Sequence, residues 1–169
     1  MIDVKRKLKN FGPLEILVIS SLTYVLMMLI WTGSTRSEVI KKAKDTQSNH
    51  KIVVEFINDE VNKCSLNLNG STAWGENCSS SWTSSEIVKH VLNNFKLNNP
   101  YNIDKPLVQT TQDPRIQAEG KAGQSTNKGI IFVSSNSFEP EAGAEWVIGT
   151  CVKSPCVAAG NNDLVSAYR

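Results

Sequence analysis

The hydrophobic pattern of this chain changes character along its length. From Phe11 to Trp31 it is nearly unbroken (FGPLEILVISSLTYVLMMLIW). That is about 21 residues, or roughly 31 Å as a helix, enough to cross about 30 Å of hydrocarbon. From Ser37 the run becomes a stripe. Ile40, Ala43, His50, Val53, Val54, Ile57, Val61 and Cys64 follow helical spacing, with Lys41, Lys44, Lys51, Glu55 and Asp59 off the stripe. No proline falls between Leu14 and Lys63. The pattern therefore predicts one helix of about 50 residues, apolar all round in its first half and on one face in its second.

After Cys64 the stretch SLNLNGSTAWGENCSSSW is rich in Ser, Asn and Gly and reads as a loop. Thr83-Ser84-Ser85-Glu86 fits a capping box, in which hydroxyl and carboxylate each satisfy a helix N–H. The short helix it opens carries Ile87, Val88, Val91, Leu92 and Phe95 on one face and ends by Asn98-Asn99-Pro100. The polar stretch to Lys128 has no strong periodicity, apart from a weak edge strand at Pro106–Gln109. Three strands are predicted to close the chain: Gly129–Ser134, Glu145–Val152 and Leu164–Tyr168. The spacers between them are short and rich in turn residues, which favours antiparallel neighbours. The expected fold is α+β, with the long helix laid across a small antiparallel sheet.

Composition fits an anchored, exported domain. A basic stub (Lys5, Arg6, Lys7, Lys9) precedes the apolar run, so residues 1–10 read as a cytoplasmic leader and 11–34 as the membrane half of the helix. Residues 35–169, about 135 in all, suffice for one modest core. The apolar run is too long for a typical signal core, and no small-residue cleavage pattern follows it, so an uncleaved anchor is the better reading. Basic residues flank the run on both sides (Arg36, Lys41, Lys42 and Lys44 follow it), so the positive-inside rule does not choose its orientation. The cysteines do. All four (Cys64, Cys78, Cys151 and Cys156) lie after the span, which suits two disulfides outside the cytoplasm. Three pairings are possible, and the sequential one, Cys64–Cys78 with Cys151–Cys156, is favoured over reduced thiols or a zinc site. Zinc ligands usually pair at closer spacing.

Few residues promise chemistry. The net charge of +2 offers no basic stripe for nucleic acid. His50 sits on the apolar stripe and His90 on the polar side of the short helix, positions more typical of structural than catalytic histidines. Gly120-Lys121-Ala122-Gly123-Gln124-Ser125-Thr126 lacks the leading glycine of a phosphate loop and reads as a solvated loop. Asn69-Gly70-Ser71 and Asn77-Cys78-Ser79 match glycosylation acceptors, and Asn161-Asn162-Asp163 reads as a turn before it reads as a calcium site. No catalytic residue, cofactor or metal is expected. Glu15 is the sharp feature, because a carboxylate within a membrane helix is costly and points to a role.

Taken together, the basic leader, Phe11 with Glu15 four places on, the two-part helix and Cys64 at the start of the following loop resemble the type IV pilins and the pseudopilins of type II secretion. The stretch from Ser48 to Ile57, with Glu60 and Cys64, resembles the pilin helix. Thr150-Cys151-Val152-Lys153-Ser154-Pro155-Cys156 resembles the disulfide-bounded C-terminal region of such pilins. The resemblance implies cleavage before Phe11, methylation of the new amine, and pairing of Glu15 with the N-terminus of a neighbouring subunit as helices bundle. Asn10 stands where the family has glycine, and Gly12-Pro13 replaces the residues that usually follow the phenylalanine. A divergent or minor pilin, or a pilin-derived protein that stays uncleaved in the membrane, fits these residues better than a major subunit.

The expected function is thus a non-enzymatic filament subunit. It would be held in a bacterial inner membrane by one span, with its domain periplasmic, and would become extracellular once assembled. Other pilin subunits and the inner-membrane assembly machinery are the expected partners. The rival is an uncleaved, single-pass periplasmic binding or sensory module. A DNA-capturing minor pilin is a weaker third reading.

Overall fold

Both parts of the helical pattern fall in one helix, α1 (Pro13–Leu66, 54 residues). The computed structural model describes residues 12–79, 82–119, 127–134 and 146–167. The chain divides into two compact units, Met1–Ile40 and Lys41–Arg169.

In the first unit, the large apolar side chains from Leu14 to Trp31 are all between 44% and 76% exposed, so the protein covers no side of them. This part of the helix is long and apolar enough to cross a membrane. Ile40, expected to open the buried stripe, is instead exposed.

In the second unit α1 buries Thr46, His50, Val53, Ile57, Val61 and Cys64, at the three-and-four spacing of one helix face. Thr46 breaks the apolar pattern at no great cost, because its hydroxyl donates to the Lys42 carbonyl at 2.8 Å. A second helix, α2 (Ser84–Asn94), adds Ile87 and Val91 to the same core. Four strands follow: β1 (Val108–Thr110), then, after the short helix α3 (Pro114–Glu119), β2 (Ile131–Ser134), β3 (Trp146–Cys151) and β4 (Asn162–Ala167). They lie in the sheet order β1-β2-β3-β4. Val53, Ile57 and Val61 pack with Ile131, Val133, Trp146 and Ile148, and Val54 packs half-buried at the edge of this cluster.

The sheet is mixed, which corrects the antiparallel expectation. β2, β3 and β4 are antiparallel neighbours, but β1 runs parallel to β2, with Val108 opposite Ile131. The reason lies in the connection. Short spacers separate the later strands, whereas α3 and its flanking segments join β1 to β2, a length that permits a parallel crossover. β1 itself begins two residues later than the expected edge strand.

Strand alternation places α3 on the sheet face away from α1. Ile148 faces the α1 core, so Gly149 faces the other way. A Cβ at Gly149 would lie 2.9 Å from the Pro114 carbonyl oxygen and 3.0 Å from the Ala118 methyl, so α3 approaches there closely enough to require glycine. Covered on both faces, β2 and β3 are buried at every position rather than at alternate ones.

The predicted capping box does not form. Thr83 is the N-cap of α2, yet its side chain makes no bond to the helix. Its hydroxyl donates instead to Glu76 Oε1 at 3.0 Å, and its own N–H donates to the same carboxylate. Glu86 pairs with Lys89 at 3.7 Å. The bonds from the Thr83 hydroxyl and N–H to one carboxylate are charge-assisted and hold the residue toward Glu76, where its oxygen does not reach a helix N–H. α2 also ends earlier than expected, with Phe95 already extended.

Candidate functional site

Glu15 is positioned by the way α1 begins. The Gly12 carbonyl accepts the N–H groups of Glu15 and Ile16 at 3.0 and 3.1 Å, which makes Gly12 the N-cap. Pro13 follows at the first helical position, where a missing N–H costs nothing and the fixed φ suits the helix. Glu15 then stands third in the helix, and its Oε2 accepts the Gly12 N–H at 3.0 Å. This is the carboxylate half of a capping box. Glu15 reads in the sequence as a membrane carboxylate, but the signal for this contact is also legible in Gly12-Pro13-Leu14-Glu15: a cap, a first-turn proline and an acid two residues after it. Asn10 and Phe11, the expected processing residues, lie outside the described residues.

Beyond Glu15, five serine and threonine hydroxyls of α1 bond back to carbonyls one turn earlier. Ser20 and Ser21 donate to the carbonyls of Leu17 and Val18 at 3.0 and 2.9 Å. Thr23, Thr32 and Thr35 donate to those of Ile19, Met28 and Trp31. Each of these five hydroxyls thus has a partner that does not require water, which lowers its cost in hydrocarbon.

The cysteines are joined sequentially, Cys64 to Cys78 and Cys151 to Cys156. The first bridge closes the loop after α1. Inside that loop Ser71 and Asn77 form an isolated bridge, and Gly75 takes a positive φ of 91° in the turn between them. Trp74 and Trp82 meet edge to face at 5.2 Å, and Trp82 leans on Trp146 of β3 at 5.8 Å. The loop is thereby fastened to both the helix and the sheet. Asn69 and Asn77, the glycosylation candidates, are both exposed here.

The second bridge closes the turn before β4. Asn161 and Asn162 donate their side-chain amides to the carbonyls of Pro155 and Cys156, at 2.8 and 2.5 Å. Their side chains therefore brace the loop, consistent with the turn reading. The glycine-rich segment 120–126 lies outside the described residues.

The histidines separate by burial. His50 is 4% exposed, and its Nε2 lies 3.4 Å from the Ile148 carbonyl oxygen. That oxygen only accepts, so a hydrogen bond requires the proton on Nε2. Burial holds the His50 pKa below the usual 6.5; the Ile148 carbonyl and the charge of Asp163 oppose the shift without cancelling it. His90 stacks flat on Phe56 at 5.5 Å, half-buried at the α1–α2 contact. Among the described residues no cluster of His, Cys, Asp and Glu is suited to a metal ion.

No family model, curated protein or solved structure matches this chain.

Proposed function

We propose that this chain is a structural subunit of a type IV pilus or type II secretion pseudopilus, a minor or divergent one, assembling through its N-terminal helix. One observation carries this reading. α1 is uncovered on every side through its apolar part, while from Thr46 onward it is buried on one face against a sheet. A helix of that kind has two habitats open to it, a bilayer and a bundle of similar helices, and a pilin uses first one and then the other. The disulfides favour a periplasmic domain in the membrane-held form. On this reading the domain has a structural rather than an enzymatic task, and its partners are other subunits and the inner-membrane assembly machinery.

A second reading has an observation of its own. Glu15 accepts a hydrogen bond from Gly12 of the same chain, so its carboxylate has a use without any neighbour. With Asn10 in place of the family's glycine, this favours an uncleaved, single-pass binding or sensory module. Mass spectrometry of the native N-terminus, with immunolabelling of sheared filaments, separates the two. A chain beginning at Phe11 and present in filaments supports the subunit. Intact Met1 and absence from filaments would overturn it in favour of the module.

A further inference from the structure

Two loops of the second unit hold large apolar side chains in water. Ile103 is 78% exposed and Val157 63%. Both loops are braced. In the first, the buried Asn99 accepts the N–H groups of Tyr101 and Asn102 on its Oδ1 at 2.9 and 3.2 Å. Its Nδ2 donates to the Lys128 carbonyl at 3.2 Å, and Asn102 Oδ1 accepts the Asp104 N–H at 3.0 Å. In the second, the Cys151–Cys156 bridge and the amides of Asn161 and Asn162 hold the turn that carries Val157. Each backbone is thus fixed with an apolar tip outward, at a cost in water that a contact would recover.

The two loops are neighbours. The Tyr101 hydroxyl donates to the Val152 carbonyl at 2.6 Å. Lys128 joins them, with its ammonium 5.1 Å from the Tyr101 ring centre and its backbone bridged to Cys151. Together they carry Lys105, Lys128 and Lys153 against one acid, Asp104. They also occupy a defined end of the unit. β3 starts with Trp146 against Trp82, which donates to the Asn77 carbonyl beside the Cys64–Cys78 bridge. It passes His50 at Ile148 and ends at Cys151. β3 therefore runs from the Cys64 end of α1 toward the Lys41 end, and the loops lie past its last residue. Asn49 ties the first loop to α1 at that same end, donating to the Asn98 carbonyl at 3.1 Å.

That end is the one tethered to the apolar span. Lys41 follows Trp31 by ten residues, so even an extended chain keeps it within about 35 Å of the end of the span. We propose that the face formed by Ile103, Val157, Lys105, Lys128 and Lys153 docks on the anionic phospholipid surface of the membrane that the span crosses. The lysines are drawn to lipid phosphate, and the two tips enter the boundary between headgroups and acyl chains. So small a face would hold a vesicle only weakly from solution. The tether replaces that encounter with a high local concentration, at which a weak contact suffices. The inference rests on the span lying in a bilayer, which the subunit and module readings share, so its failure leaves both standing.

The test uses the full chain, one per nanodisc, with isoleucine methyl groups labelled for NMR and a nitroxide on the lipid headgroup. In phosphatidylglycerol discs the paramagnetic relaxation of the Ile103 methyl should exceed that of Ile116 at least fivefold. Ile116 is the control because it is also exposed, at 50%, but lies on α3. Changing the lipid to phosphatidylcholine should lower the Ile103 value at least threefold, a comparison that needs no substitution. Lys105→Glu with Lys153→Glu should do the same in phosphatidylglycerol, with the signal of the buried Ile57 unchanged as a check on the fold. Equal relaxation of Ile103 and Ile116 would overturn the proposal, as would an Ile103 value indifferent to lipid charge or to charge reversal. Enhancement that appears only with several chains per disc would also overturn it, and would assign the face to a second copy.

Discussion

Glu15 Oε2 accepts the backbone N–H of Gly12 at 3.0 Å, so the carboxylate in the apolar run is both a helix cap and a buried-charge candidate. Two substitutions separate these roles. Glu15→Gln keeps an acceptor for Gly12 and removes the charge, whereas Glu15→Ala removes both. Membrane insertion should survive in each, because loss of a charge makes the segment more apolar. If Glu15 neutralises a neighbour's amine, filament incorporation should drop sharply for Gln and Ala alike. Incorporation of the Gln variant at the wild-type level would reduce Glu15 to a cap, worth about 1 kcal/mol at the helix start.

Ile57 is fully buried at the centre of the α1–sheet contact. Ile57→Asp sets a carboxylate among Ile131, Trp146 and Ile148 with no cation beside it, at a cost of several kcal/mol. The Lys41–Arg169 unit should then lose its cooperative melting and become protease-sensitive in the full chain. Ile57→Val removes one methylene and should cost only about 1 kcal/mol. Equal melting of the Asp variant and wild type would show that this face of the helix is not packed as described.

The disulfides should contribute unequally. Cys64 and Cys78 are 14 residues apart, and a loop of that size is worth about 3 kcal/mol on the chain-entropy estimate. Cys151 and Cys156 are 5 apart, for about 2 kcal/mol. Paired Cys→Ser variants, unfolded in denaturant, should rank in that order. Peptide mapping without reductant should find all four cysteines bridged; free thiols would sink both this ranking and the exported placement.

How much of this was legible in the sequence depends on how local each feature is. The helix face of Val53, Ile57 and Val61 followed from periodicity, because burial on one side leaves a repeating mark, whereas the three later strands were legible as short apolar runs between turn-rich spacers. β1 and its parallel pairing did not. A three-residue strand is too short to show a period, and its direction depends on a crossover that places α3 on the far face. Thr83 shows another kind of limit. Its local pattern was right for a cap, but Glu76, seven residues earlier, reaches it only after the Cys64–Cys78 loop has folded. The Glu15–Gly12 contact is the opposite case, local and legible, because a glycine, a proline and an acid at successive first-turn positions mark a helix start as well as a charge. Asn10 and Phe11 rest on sequence alone.

His50 makes the stability of the second unit depend on pH. Its folded pKa is held below 6.5 by burial, so at neutral pH it is uncharged and donates to the Ile148 carbonyl. As pH falls through 6.5 the unfolded chain takes up a proton that the folded chain resists. Unfolding is then favoured, by at most about 1.4 kcal/mol per pH unit. The contribution is fully present above 6.5 and is lost progressively below it. His50→Gln keeps a donor without a titrating ring, so its stability should change less than wild type between pH 7 and 5 in denaturant unfolding. Asp163 on β4 is the charge that opposes the shift. Asp163→Asn should therefore depress the His50 pKa further and extend the loss to lower pH. Parallel pH profiles for wild type and His50→Gln would show that His50 stays uncoupled from folding, contrary to its position beneath β3.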